Sequence, residues 1–211
     1  MNCAILTKEY FIATYYEQII RKGIINMGTL QYAILGLLSR KDMTGYDMSK
    51  EFETTLSGFW NAKHSQIYPE LKTLTEKQLI EYHLEISGTV LEKKVYSITA
   101  AGREQLTQWE NNFNKLKPIA KDEFRLQLFF SDCVSPEHRI ELLKNRLAQH
   151  EERLQQLRER KPEFQNLTAP PQEEEAFNDY LVYLGGIMRE EEKCDWLKKS
   201  ISLCEDRKKK N

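Results

Sequence analysis

A chain of 211 residues has room for one large domain or two small ones. Hydrophobic residues make up 40% and charged residues 30%, enough for a core and a solvated surface, and no run nears the ~18 consecutive apolar residues of a membrane span. Lys plus Arg number 31 against 32 Asp plus Glu, a formal net charge of −1, so a nucleic-acid surface has to come from local placement of charge.

Residues 1–26 differ in pattern from the rest of the chain. Phe11, Tyr15 and Ile19 fall at helical spacing, but Lys8-Glu9 interrupts the apolar stretch and no basic segment precedes it, unlike a secretory signal. We expect an N-terminal extension over residues 1–27, with Met27 as the natural start and residues 1–26 upstream of the native protein. Residues 29–39 place Leu30, Ile34, Leu37 and Leu38 on one face of a first helix. A turn over residues 40–43 comes next. Thr44 with Asp47 three residues on resembles a capping box and predicts a second helix over residues 45–56.

The spacing of Ile67, Leu71 and Leu74 predicts a third helix, with Ser65 as cap and Pro69 near the first turn. Tyr82, Leu84 and Ile86 alternate with polar neighbours as in a half-buried strand. After the turn signal Gly88-Thr89, Lys94, Tyr96 and Ile98 alternate in the returning strand. Thr99 can cap a fourth helix with apolar positions at Leu106, Trp109, Phe113 and Leu116. Three helices and a hairpin in this order make a winged helix-turn-helix domain over residues 28–116. Lys117-Pro118 marks the boundary.

Residues 117–211 read as helical. Phe124 and Leu128 mark a short helix, and Ser135-Pro136-Glu137 is a helix start. Ile140, Leu143, Leu147, His150, Leu154 and Leu157 then step by three and four residues, a heptad-like seam. Beyond a proline-containing linker over residues 161–172, Phe177, Tyr180, Leu184, Ile187, Glu191 and Cys194 repeat the rhythm, with Trp196, Leu197 and Ile201 after them. Two such faces are expected to pair with a second copy, through Leu143, Leu147, Leu154, Leu184 and Trp196. A hairpin that packs only on its own chain is the alternative. The fold class expected is mainly α with a small β-hairpin wing, a DNA-binding domain followed by an all-helical dimerisation domain.

Cys3, Cys133, Cys194 and Cys204 form no C-x-x-C pair, and the histidines at 64, 83, 138 and 150 supply no zinc-type spacing. We read the cysteines as reduced thiols in a cytoplasmic protein with no metal or cofactor. No nucleophile elbow, phosphate loop, H-E-x-x-H or G-x-G-x-x-G run occurs, and no enzymatic activity is expected.

In a helix-turn-helix, residues at the start of the recognition helix reach base edges while the wing and flanks hold phosphates. Ser65, Gln66, Tyr68 and Lys72 suit the first role. Lys63 and His64 ahead of that helix, and Lys93 and Lys94 on the wing, suit the second. Residues 28–110 nevertheless hold 9 Lys/Arg against 11 Asp/Glu, so charge alone favours ordinary solvated faces.

Residues 30–109 resemble the PadR family of bacterial regulators. The stretch GFWNAKHSQIYPEL (58–71) resembles its recognition-helix signature, GTVLEKKVY (88–96) with TAAG (99–102) its wing and next helix, and GYD (45–47) its second-helix entry. DEF (122–124), Tyr180 to Tyr183 and Trp196-Leu197 are similar to the long helical domain of the family's larger subgroup. The resemblance is greatest to the branch that represses phenolic acid decarboxylase. It implies a homodimeric repressor on a double-stranded DNA operator, released by a phenolic acid such as p-coumarate or ferulate. Such an effector needs an apolar slot and a partner for its carboxylate. Tyr32, Trp60 and Phe129 are candidates for the ring, and Lys63, Arg125 and His138 for the carboxylate; His150, which breaks the seam of its helix, is an effector candidate whose simpler reading is a satisfied buried histidine. Two alternatives stand beside this reading: a repressor answering a drug or antimicrobial, and a winged-helix interaction module that binds no DNA.

Overall fold

The computed structural model describes residues 27–87, 91–167 and 169–210, which fall into two compact units, one ending at Leu116 and the other starting at Lys117. The reading of the N-terminal extension and the turn signal at Gly88-Thr89 lie outside the described residues.

The first unit starts with α1 (Thr29–Arg40), a two-residue strand β1 (Met43–Thr44) and α2 (Gly45–Thr54). The Thr44 hydroxyl accepts from the Asp47 N–H at 3.1 Å and the Asp47 carboxylate accepts from the Thr44 N–H at 3.1 Å, which satisfies orphan amides at the entrance of α2. Next come α3 (His64–Glu76), β2 (Ile80–Ser87), β3 (Leu91–Ile98) and α4 (Ala100–Glu110). Gln78, at φ 58, takes the left-handed position after α3, and the Leu79 N–H returns to the Leu74 carbonyl at 3.0 Å. That reversal feeds the chain into the wing. The sheet has three strands in the order β1-β3-β2, all antiparallel, because Met43 and Thr44 pair with Tyr96 and Val95. Met43, expected in a turn, and the helix cap Thr44 thus add a strand.

One core joins these elements. Ile34, Leu35 and Leu38 of α1, Met48 and Phe52 of α2, and Ile67, Leu71 and Leu74 of α3 meet the base of the wing at Ile80, Tyr96 and Ile98. Farther out, Tyr82, Leu84 and Ile86 are 42%, 54% and 77% exposed, so the alternation read as half-buried faces solvent once the hairpin leaves the helices. The fourth helix also stops earlier than its apolar spacing suggested. The Asn111 and Asn112 amides donate to the Thr107 and Gln108 carbonyls, offering the backbone side-chain partners at the helix end, and Phe113 and Leu116 lie exposed beyond it.

The second unit contains α5 (Glu123–Phe129), a 3-10 turn (Ser131–Cys133), α6 (Pro136–Arg160), a second 3-10 turn (Pro162–Phe164) and α7 (Glu174–Lys210). Ser135 caps α6 by accepting from the His138 N–H at 3.2 Å, with Pro136 at the first helical position. Helices α6 and α7 form an antiparallel hairpin, laced by Glu137–Lys208, Lys144–Glu205, Glu151–Lys198 and Arg158–Glu191 ion pairs. Inside it, Ile140 and Leu143 cluster with Phe124, Leu197 and Ile201, while Leu154 clusters with Ile187 and Cys194.

One buried polar pair interrupts this apolar seam. His150 Nδ1 lies 2.6 Å from the Glu190 carboxylate, with the side chains 13% and 6% exposed. Burial by itself raises the Glu190 carboxyl, but the hydrogen bond to His150 and the nearby Lys193 and Arg153 outweigh it and hold the group below the usual carboxylate range. Removing the imidazole leaves that carboxylate buried with a weaker partner set. His150→Ala is expected to destabilise this unit by about 3 kcal/mol in urea denaturation, an effect far above that of any of the exposed ion pairs. A loss below ~0.5 kcal/mol would place the pair among those surface contacts.

Candidate nucleic-acid interface

Helix α3 is oriented by its apolar face. Ile67, Leu71 and Leu74 are each at most 1% exposed, and each such side chain contributes roughly 1.5–3 kcal/mol on burial. The exposed Lys72–Glu76 pair at 3.9 Å contributes a small fraction of that. A polar tie fixes the same helix from the side: Gln31 of α1, buried, donates to the Glu70 carboxylate at 2.6 Å and accepts from Lys77 at 3.4 Å. Packing therefore forces His64, Ser65, Gln66, Tyr68 and Lys72 outward together.

The start of α3 differs from the sequence expectation. The cap is Lys63, not Ser65, and the Lys63 N–H donates to the Gln66 side chain at 2.9 Å. Ser65 is therefore the second helical residue, and Pro69 lies inside the helix rather than in its first turn. Gln66 reaches back to the cap as a capping-box glutamine does, which moves the start of the helix ahead of Ser65.

Tyr68, Lys93 and Lys94 converge on a cleft of about 440 Å³ with the entrance of α2, where Thr44, Gly45, Tyr46 and Asp47 complete one wall. Glu92 and Tyr96 close the wing side. The remaining residues singled out in the sequence, Lys63, His64, Ser65, Gln66 and Lys72, occupy the exposed surface of α3 and its approach. His64 packs on the Tyr68 ring, with centroids 4.5 Å apart. Sequence reasoning missed Tyr46, 70% exposed at the entrance of α2, and the seat at Gly45. The Thr44–Asp47 box was the available signal, since it marks a helix N-terminus that opens toward α3.

Two acidic residues near the cleft, Asp47 and Glu85, are engaged, whereas Glu92 lines it exposed. The Thr44 hydroxyl hydrogen bond, helped by Lys93 and Lys41, holds the Asp47 carboxyl below the usual range. Glu85 is held low by its hydrogen bond from Lys93, 3.2 Å away, and by His83. Lys94 is held otherwise: its ammonium lies 4.1 Å from the Tyr82 ring centroid, and no carboxylate pairs with it among the described residues. A near-neutral unit thus presents a cation, tyrosine hydroxyls and a helix entrance on one side, the donor set that phosphates and base edges accept.

The candidate effector residues are divided between the two units. In the first, Tyr32 is buried and stacked on Trp109, with centroids 4.9 Å apart, and burial pushes its phenol up. Trp60 is half-buried against the same core. In the second unit Arg125 is exposed, Phe129 is 78% exposed and edge-on to Phe130, His138 lies 3.6 Å from Glu141, and His150 is committed to Glu190. Among the described residues, no cluster of His, Cys, Asp or Glu has the arrangement of a metal site, and no helix is long and apolar enough to cross a membrane.

Known proteins share both units. Residues 34–108 match the transcriptional regulator PadR-like family, and residues 120–205 match the virulence activator alpha C-terminal region. The negative transcriptional regulator PadR of Bacillus subtilis is 36% identical over 181 residues, spanning 84% of this chain and 98% of that protein. The crystal structure of Bacillus subtilis PadR in complex with operator DNA superposes with a TM-score of 0.77 at 34% identity, covering 84% of this chain and 99% of that one. The complex of the same protein with p-coumaric acid gives 0.73 at 32% identity, covering 83% and 95%.

Lys94→Ala is expected to weaken binding to any duplex DNA about equally and to lower the salt slope of log K by ~0.9, measured by fluorescence anisotropy across a salt series. An unchanged slope would remove Lys94 from the phosphate contacts.

Proposed function

Because the chain belongs to the PadR-like family of transcriptional regulators, we propose that it is a DNA-binding repressor that a phenolic acid releases from its operator. The observation that carries this reading is a likeness spanning nearly the whole of a repressor whose structures hold operator DNA and p-coumaric acid. The exposed face of α3 reads bases in the major groove, while Lys94 and the wing hold the phosphates beside it. The protein acts in the cytoplasm, where the operator lies, and as a regulator without catalytic turnover. For the acid to release DNA it must bind the DNA-free state more tightly, by the same factor by which it weakens operator affinity. Of the residues considered for that acid, Trp60, Arg125, Phe129 and His138 keep accessible surface, whereas Tyr32 serves the core and His150 the hairpin.

We place the homodimer contact on α7. The seam residues Leu143 and Leu154 are covered by the chain's own last helix, with Leu147 packed beside them. Leu184 is half-buried. On a different face of α7, Leu181, Met188, Trp196 and Leu203 are 49%, 59%, 41% and 58% exposed and recur at about two-turn intervals. An apolar stripe of this kind marks an association surface, and a two-fold dimer suits two operator half-sites.

In a gel shift with the gene's own upstream DNA, a specific complex is expected that added p-coumaric acid abolishes. A complex indifferent to phenolic acids would keep the repressor and discard this effector, and no complex would favour an interaction module. Met188→Asp is expected to yield folded monomer in sedimentation at micromolar concentration, with operator affinity reduced at least tenfold. Retention of the dimer would move the interface off this face.

A further inference from the structure

Gly45 is the first residue of α2, directly after the Thr44 cap, and it is buried. Its backbone lies outside the left-handed region, so its conformation is open to any residue, and alanine at a helical position is intrinsically preferred to glycine. What demands glycine is space. A Cβ built at Gly45 would lie 2.8 Å from Cζ of Tyr68, 2.9 Å from its hydroxyl oxygen and 3.0 Å from Cε1. The tip of the Tyr68 ring rests on the bare backbone of Gly45, and His64 packs on the same ring.

The nature of the obstacle separates this glycine from Gly102. There an added Cβ runs into the backbone carbonyl of Leu79, which the fold cannot move cheaply. At Gly45 it meets the far end of a side chain that is 43% exposed. A methyl group at Gly45 is therefore relieved by swinging the ring aside. The fold is spared, and the direction of the Tyr68 hydroxyl is lost.

We propose that Gly45 is a positioning residue for operator recognition, its missing side chain forming the seat that aims Tyr68 of α3 at the duplex. This rests on the reading of α3 as the recognition helix. The entrance of α2 then does more than approach the DNA: it fixes the angle at which the neighbouring helix presents its tyrosine. Replacement of Gly45 by even the smallest side chain converts a fixed contact into a displaced one.

The test is a double-mutant cycle on operator affinity, with Gly45→Ala, Tyr68→Ala and the pair, alongside thermal unfolding and NMR of the DNA-free protein. Gly45→Ala is expected to weaken operator binding about tenfold, the size of one good base contact, with a melting temperature at or above that of the parent. In the Tyr68→Ala background the same change is expected to cost less than about twofold. Nuclear Overhauser contacts between the Tyr68 ring and the Gly45 α-protons are expected in the parent and absent from Gly45→Ala. Full operator affinity in Gly45→Ala overturns the proposal, as does an undiminished loss without the Tyr68 ring, which would mean that the α2 backbone itself meets DNA. Wild-type affinity in Tyr68→Ala overturns it by removing Tyr68 from recognition. If the parent shows no specific operator complex, the repressor reading fails on that result, and missing Tyr68–Gly45 contacts in the DNA-free protein overturn the seat separately.

Discussion

Ile67, Leu71 and Leu74 anchor helix α3 in the core of the first unit, and their burial dictates how every other residue of that helix is presented. With one face sealed against α1, α2 and the base of the wing, the helix cannot rotate without exposing large apolar side chains. The Gln31–Glu70 hydrogen bond adds a directional constraint to a contact that is otherwise non-directional. His64, Ser65, Gln66, Tyr68 and Lys72 reach solvent as one surface because the core holds the opposite side of the same cylinder.

On a chain with net charge −1, a DNA surface is helped where nearby acids are occupied, and near this one several are, Glu92 of the cleft wall excepted. Asp47 is held by Thr44 as a helix cap, Glu85 by Lys93 and His83, and Glu70 by Gln31. Lys94, resting on the Tyr82 ring, keeps its charge available. The relevant quantity for duplex binding is the field at the cleft, and composition averages it away. Comparing the totals of acidic and basic residues in this unit would have argued against a function that the family membership supports.

In the second unit, the heptad rhythm of α6 and α7 is satisfied within the chain. Leu143 and Leu197 are fully buried against one another's helices, and the His150–Glu190 pair sits in the same seam, where a slip of register would strand a charge. Because the hairpin consumes the predicted seam, a surface for a second copy has to lie outside that seam. On α7, the remaining apolar stripe, from Leu181 to Leu203, has no partner within the described unit that buries it.

Most local signals are legible in the sequence where the physics is local, the cap of α3, Lys63 rather than Ser65, being an exception. The Thr44–Asp47 box, the Thr99 cap and the Ser135-Pro136 start each depend on residues within one turn, and the apolar period of α3 marks its buried face. The likeness of residues 58–71 and 88–102 to a known family carried the function further than charge did. Contacts between distant residues were beyond that reach. The exposure of Tyr82, Leu84 and Ile86 depends on where the hairpin leaves the helices, and the fate of Leu143 depends on which helix arrives to cover it. Likewise, the choice of Glu190 as the partner of His150 and the seat of Tyr68 on Gly45 depend on side chains brought together across the fold. Periodicity says that a face will be buried, but only the assembled packing names what buries it, because apolar burial is indifferent to partner while steric fit and hydrogen bonds are not.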